Sequence, residues 1–285
     1  MTALPARLSF PEYDRGMGST FGVKAYWCAG RLRYGNGRTP NIAAEDSGFN
    51  AGYDDLIATS GGTFSTSTYA AQNLRCGWGI NNTDTGSYGT AANSNVNPGI
   101  YGVSGVLPWT MFWLGVLREE RNMTLWTWGG ERTRGRISLA YNGATSVDQW
   151  NQVLYSDDTN TFTYTSTINN LLAVVQTYDG ANLQVYINGE RAYSAAKTMD
   201  IGSNTTTAFG PQGDCEHYLV GFANRAWTQQ DASSFAADPF MFEQPFWWSL
   251  AAAAGGGGGG AGRLVNKGLL RGGGLMGGRL VREAA

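Results

Sequence analysis

The run "NLQVYINGERAYSAA", residues 182–196, limits this chain more than any other stretch. Asn188-Gly189 stands between the apolar positions Leu183, Val185 and Ile187 and the positions Ala192 and Tyr193. Two strands joined by a tight turn with positive φ at its centre fit that pattern, and such a pair is antiparallel. Upstream, "WTMFWLGVLREE" (109–120), "MTLWTWGG" (123–130) and "GRISLAYNG" (135–143) are apolar runs of strand length, separated by charged or glycine turns. "QWNQVLYSDD", "FTYTST" and "NNLLAVVQTYDG" continue the series. The stretch 51–105, dominated by Ser, Thr, Asn and Gly, fits short strands with long loops. One helix is expected, late in the chain, where Thr228 can cap "TQQDASSFAAD", Asp231 completes an approximate capping box and Pro239 closes the segment. No strand–helix–strand alternation occurs, so the expected fold class is all-β, a two-sheet antiparallel sandwich or jelly roll.

Composition agrees. Only 15% of the residues are charged, whereas 13% are aromatic, with ten Trp and 41 Gly. Flat rings and tight turns suit sheets better than long helical surfaces. With 285 residues the chain can bury most of the surface that its unfolded form exposes, without staples. Cys28, Cys76 and Cys215 are odd in number and follow no repeated spacing, which argues against a disulfide framework and for a reducing compartment. The N-terminal residues show no apolar run of signal-peptide type, and nowhere do 18 consecutive apolar residues occur, so synthesis in the cytoplasm is expected. Asn81, Asn122 and Asn204 head N-x-[ST] triplets, for which no glycosylation is then expected.

The domain boundaries expected are an irregular arm over 1–45, a body over 46–250 and a Gly/Leu-rich basic tail over 251–285. Within the arm, "VKAYWCA" (23–29) is the one stretch with strand character. The net charge of -2 points to neither nucleic acid nor an anionic membrane, but it is unevenly spread. From Arg263 onward there are five basic side chains against one acidic, or +4, leaving 15 basic and 21 acidic side chains before it, or -6.

Two segments of the body resemble the laminin G-like family, which shares the concanavalin A-type jelly roll. "LAVVQTYDGANLQVYINGERAYSAA" is similar to that family's strand, Tyr-Asp-Gly turn, strand, Asn-Gly turn and strand. "YLVGFANRAWTQQDASSFAADPF" is similar to its closing strand, Asn-Arg-Ala step and helical segment. The resemblance covers Pro108 to about Pro245. It implies two facing antiparallel sheets, one curved inside the other, and often a glycan or protein ligand at a sheet face or rim. The chain departs from the family on the closing strand, where only Glu216 is acidic. The "DPF" exit at 238–240 and the glycine-leucine tail also resemble proteins of tailed bacteriophages.

Groups that move protons or attack are sparse. His217 is the only histidine, which excludes a multi-histidine metal site. Cys215 and His217 share a strand face and are read as a buried thiol and a satisfied ring; a nucleophile pair would need a third, orienting group. Asp157, Asp158 and Asn160 are read as a polar turn rather than a calcium loop. Glu119-Glu120 and Asp54-Asp55 are adjacent and point to opposite faces, unlike a hydrolase's paired acids. Trp126 and Trp128, alternating with Leu125 and Thr127, are read as core rather than as a sugar platform. Trp247-Trp248 are read as tucking the exit segment against the sheet or a partner.

The tail carries the functional expectation. Leu264, Leu269, Leu270, Leu275 and Leu280 recur every five or six residues between glycines, a spacing that fits neither a helix face nor a strand alternation. Such a segment gains shape from a partner, with leucines filling pockets and Arg263 and Arg271 meeting acidic rims. The expected protein is therefore a non-enzymatic virion component of a tailed bacteriophage. It would be a homo-oligomeric jelly roll anchored to major capsid or tail proteins, capsid decoration being favoured over a tail or fibre role, with no cofactor and no metal. Two alternatives stay open: an adhesin module binding a host surface glycan, and a glycoside hydrolase on the same fold.

Overall fold

The computed structural model describes residues 15–28, 38–39, 56–58, 62–65, 79–82, 88–90, 103, 106–118, 122–129, 136–142, 149–154, 158–165, 168–199, 201, 207–209 and 215–243. All of them lie in one compact unit, Phe10–Gln244. The described chain is mostly β and folds as a sandwich of two antiparallel sheets.

In chain order the strands are β1 (Val23–Cys28), β2 (Arg38–Thr39), β3 (Leu56–Ala58), β4 (Gly62–Ser65), β5 (Gly79–Asn82), β6 (Tyr88–Thr90), β7 (Trp109–Leu117) and β8 (Asn122–Gly129). They continue as β9 (Arg136–Asn142), β10 (Gln149–Leu154), β11 (Asp158–Thr163), β12 (Leu171–Tyr178), β13 (Asn182–Ile187), β14 (Glu190–Ala196), β15 (Thr207–Phe209) and β16 (Cys215–Ala223). Helix α1 (Arg15–Phe21) precedes β1, and helix α2 (Gln229–Ala237) follows β16. The first sheet runs β14-β13-β12-β7-β16-β5-β4, with β1 also paired to β16; the second runs β11-β10-β9-β8-β15-β6-β3-β2. All the strand ladders described are antiparallel, with one isolated parallel bridge between Leu117 and Ile168.

The sheets differ in what covers them. Along β7 and β12, successive side chains enter two separate cores. Trp109, Met111, Trp113, Leu172 and Val174 face the second sheet, where they meet Trp126, Trp128, Ile137, Leu139 and Trp150. Phe112, Leu114, Val116, Ala173 and Val175 face the other way, against Trp227, Ala232 and Phe235 and the turn bearing Phe240 and Phe242. Phe112 stacks on Trp227 with centroids 4.8 Å apart. Burial on both faces explains why "WTMFWLGVL" and "LLAVV" read as continuous apolar runs rather than alternating ones.

The expected local devices are present. Asn188 (φ 52) and Gly189 (φ 83) form the two-residue turn between β13 and β14. Thr228 caps α2, accepting from the Asp231 backbone while the Asp231 carboxylate accepts from the Thr228 backbone. In the Tyr-Asp-Gly turn, burial raises the Asp179 carboxyl, but hydrogen bonds from Asn182 and Ala181 outweigh it and hold the group below the usual carboxylate range.

Three expectations need correction. Within the stretch expected as an arm, "VKAYWCA" does supply the expected strand, β1, but helix α1 precedes it where an irregular segment is expected, and β1 is hydrogen-bonded into the first sheet from Val23↔Ala223 to Cys28↔Leu219. That pairing spans about two hundred residues of sequence, so no local pattern announces it. Of the residues expected in a polar turn, Asp158 and Asn160 instead lie in β11, where Asp158 already pairs with Leu154; Asp157 lies outside the described residues. Leu125 does not face away from Trp126 and Trp128, because a register shift between Thr124 and Trp126 brings all three into the same core.

Candidate functional site

The tail residues singled out by sequence, Arg263, Leu264, Leu269, Leu270, Arg271, Leu275 and Leu280, lie outside the described residues. So do Glu119, Glu120, Asp54, Asp55, Asp157, Trp247 and Trp248 and the side chains of Cys215, His217 and Asp158. Trp126 and Trp128 are in the inter-sheet core, each at most 1% exposed, and offer no face to a sugar. Glu216, the single acid of the closing strand, is buried and accepts from Arg118 and from the Tyr218 hydroxyl. Glu243, also buried, accepts from the Tyr26 hydroxyl at 3.1 Å. Among the described residues no three His, Cys, Asp or Glu side chains converge as metal ligands.

The surfaces that remain are defined by where aromatic rings stay open. Every described Trp is buried, and among the described Phe and Tyr side chains only Phe162, Tyr164 and Tyr193 are half-buried. All three belong to one flank of the sandwich, around the two edge strands β11 and β14. Trp150 in the core stacks on Phe162 (centroids 6.3 Å, 14° between planes), and Phe162 stacks on Tyr193 (5.6 Å, 28°). Tyr164, two residues beyond Phe162, accepts a hydrogen bond from Asn188 Nδ2 at 3.3 Å.

Tyr193 reaches this flank through a bulge. From the turn outward β14 pairs Ile187↔Glu190 and Tyr186↔Arg191, but the next pair is Val185↔Tyr193, leaving Ala192 as an extra residue. An unbroken register would pair Tyr193 with Gln184 and turn it to the opposite face. The inserted residue re-aims the ring, as bulges on edge strands do.

Next to the flank, the outer face of β8–β11 is uncharged and, apart from Ala140, mostly polar in its described side chains. Alternation puts Trp150, Gln152, Leu139 and Tyr141 inward, so Thr127, Ser138, Gln149, Asn151, Thr161 and Thr163 point outward. Asn151 sits in register with Thr161, and its buried Oδ1 has no hydrogen-bond partner among the described residues.

On the far side of the turn the first sheet and α2 leave a groove of about 650 Å³. Leu114, Leu171 and Ala173 form its floor, Asn188 one end, Ser233, Ala236 and Ala237 a wall, and Asp238, Pro239 and Phe240 the lip. Asn188 is pinned there: its Oδ1 accepts from the Ala173 N–H at 2.8 Å and its own N–H donates to the Ala173 carbonyl at 2.8 Å, prolonging the ladder past the last strand residue. The Ser233 hydroxyl donates to the Gly189 carbonyl at 3.1 Å and ties α2 to the same turn.

Sequence reasoning missed this flank. "TNTFTYTST" does display aromatic rings alternating with threonine, but nothing in it reveals an edge strand, and the bulge that places Tyr193 leaves no composition signal.

No family model matches the sequence, and neither does any curated protein. Among solved structures, the chain is similar to Trypanosoma rangeli sialidase at 11% identity, with a TM-score of 0.55 over 79% of this chain and 34% of that one. It is similar to the receptor binding domain of botulinum neurotoxin C/D mosaic serotype at 11% identity, TM-score 0.53, over 77% of this chain and 52% of that one. The botulinum neurotoxin serotype D binding domain gives 11% identity, TM-score 0.51, over 77% and 51%. The chain thus spans about a third of the sialidase and half of the toxin domains. At such identities the likeness establishes the β-sandwich fold; it lends no support to the laminin G or bacteriophage part of the resemblance.

Proposed function

We propose that this chain is a non-catalytic carbohydrate-recognition module whose ligand lies on the flank formed by β11 and β14. The observation that carries the reading is the gathering of the three part-open aromatic rings, Phe162, Tyr164 and Tyr193, on that one flank. A pyranose offers a face of C–H groups and a rim of hydroxyls. The first packs on an aromatic ring, and the second needs donors and acceptors that carry no charge to desolvate. Tyr193 supplies the ring surface, and Asn188, at the neighbouring turn, supplies an amide and Tyr164 a hydroxyl. A sialidase solved with sialic acid and a toxin receptor binding domain are built on a similar sandwich, which is support at the level of the fold. The test is a glycan array read with the wild-type chain and with Tyr193→Ala, thermal melting serving as the control for folding. Binding to a defined glycan that drops at least tenfold in the variant is expected. An unresponsive array, equal binding by a folded variant, or release of reducing sugar from the bound glycan overturns the reading.

A second reading concerns where such a module acts, and the charge and leucine pattern of residues 255–285 favours it. We propose a virion component of a tailed bacteriophage, made in the host cytoplasm and held on capsid or tail proteins by Arg263, Leu264, Leu269, Leu270, Arg271, Leu275 and Leu280. A +4 tail on a -6 body can bridge neighbouring copies and an acidic surface, and weak contacts repeated by symmetry hold well. Deleting residues 255–285 is expected to leave a folded body that no longer joins particles; normal incorporation defeats the reading.

A further inference from the structure

Asn188 is exposed and precedes glycine, whose backbone nitrogen no side chain shields, and that order makes the Asn188 amide a target within its own chain. The Gly189 nitrogen attacks Cγ of Asn188, the Cγ–Nδ2 bond breaks, and Nδ2 leaves as ammonia with the proton of the Gly189 N–H. A succinimide ring results. Water then opens it at either carbonyl, giving aspartate or, with the backbone rerouted through Cγ, isoaspartate. One water is consumed and one ammonia released, so no further reactant is needed.

The fold opposes the first step. Positive φ at both Asn188 (52°) and Gly189 (83°) makes the turn type I′. Its first residue has ψ of about +30°, whereas ring closure needs the Gly189 nitrogen eclipsed with the Asn188 Cβ, at about −120°, the value of a type II′ turn. The central peptide must therefore turn over. The side chain must also leave the sheet, because Oδ1 accepts from the Ala173 N–H at 2.8 Å and Nδ2 donates to the Tyr164 hydroxyl at 3.3 Å. The hairpin need not open for this, since the Asn188 N–H on the Ala173 carbonyl and Ser233 on the Gly189 carbonyl hold the two ends of the turn.

We infer that Asn188 is a gated modification site, which deamidates in the folded protein only from a minor conformer with the amide released and the turn flipped to type II′. Isoaspartate adds a backbone carbon to the two-residue turn that sets the β13–β14 register, removes the donor to Tyr164 and puts a carboxylate on the aromatic flank. Aspartate alters only the charge and the donor, since a carboxylate oxygen still accepts from the Ala173 N–H. None of this depends on what the flank binds.

The experiment keeps the full chain, folded and in urea, in the same mildly alkaline buffer and follows it by peptide mapping, which separates Asn188 from the other Asn-Gly pairs at 36–37 and 142–143. Isoaspartate at 188 is expected to accumulate in the folded chain at a rate roughly tenfold or more below that in urea. Tyr164→Phe, its folding checked by thermal melting, is expected to raise the folded rate several-fold and leave the rate in urea unchanged. Three outcomes overturn the inference: equal rates folded and in urea, a folded chain still unconverted at 188 long after the urea sample is complete, or a folded Tyr164→Phe variant that converts no faster than the wild type.

Discussion

Trp126 and Trp128 are buried to the same degree two positions apart, yet their indole N–H groups fare differently. The Trp126 Nε1 donates to Gln176 Oε1 at 2.6 Å, and Gln176 in turn donates to Gln152, a polar bridge inside the inter-sheet core. The Trp128 Nε1, against Trp109 at 5.2 Å between centroids, has no acceptor among the described residues. Replacing either ring by Phe removes similar apolar area, but Trp126→Phe also leaves a buried amide oxygen unmatched, which costs about 1–3 kcal/mol. Trp126→Phe is therefore expected to lower the urea midpoint by more than Trp128→Phe does; equal midpoints would show that the bridge carries no net stability. The burial of both tryptophans could be read from their alternation in "MTLWTWGG". The bridge could not, because Gln152 and Gln176 look like solvent-facing residues until the sheets are stacked.

The β13–β14 hairpin and the capped helix α2 were the elements written most plainly in the chain, since both depend on residues at fixed short spacings, Asn188-Gly189 and Thr228 with Asp231. How they meet was not legible. A Cβ on Gly189 would lie 2.9 Å from Ser233 Cα, while one on Gly180, whose φ is also positive (+100), would meet nothing within 4 Å. Gly180→Ala thus reports backbone strain alone, on the order of 1–3 kcal/mol. Gly189→Ala adds the collision with α2 and is expected to lower the melting temperature further. A melting temperature no lower than that of Gly180→Ala would mean that α2 yields at the turn. The bulge in β14 belongs with the hidden features, since Ala192 is unremarkable in sequence and only the shift of pairing from Arg191 to Tyr193 reveals it.

For the molecule as a whole, the two-sheet sandwich could be foreseen from its many short runs and from strands apolar on both faces, because those patterns are local. The second covering layer and the place of β1 could not, because they join residues far apart in the chain. The proposed site is legible to the same extent: its rings are visible as residue types, and their gathering on one flank is a product of edges, bulge and turn. One of those distant joins has a consequence for how the chain is made. β16 is the last of the described strands in chain order, yet it lies inside its sheet, flanked by β7 on one side and by β5 and β1 on the other. During synthesis, β7 emerges about a hundred residues earlier and must wait with one sticky edge and its apolar rows uncovered. Folding of the sandwich is thus delayed until β16 has emerged, and the ribosome-bound chain that still lacks it is the species that most needs a chaperone.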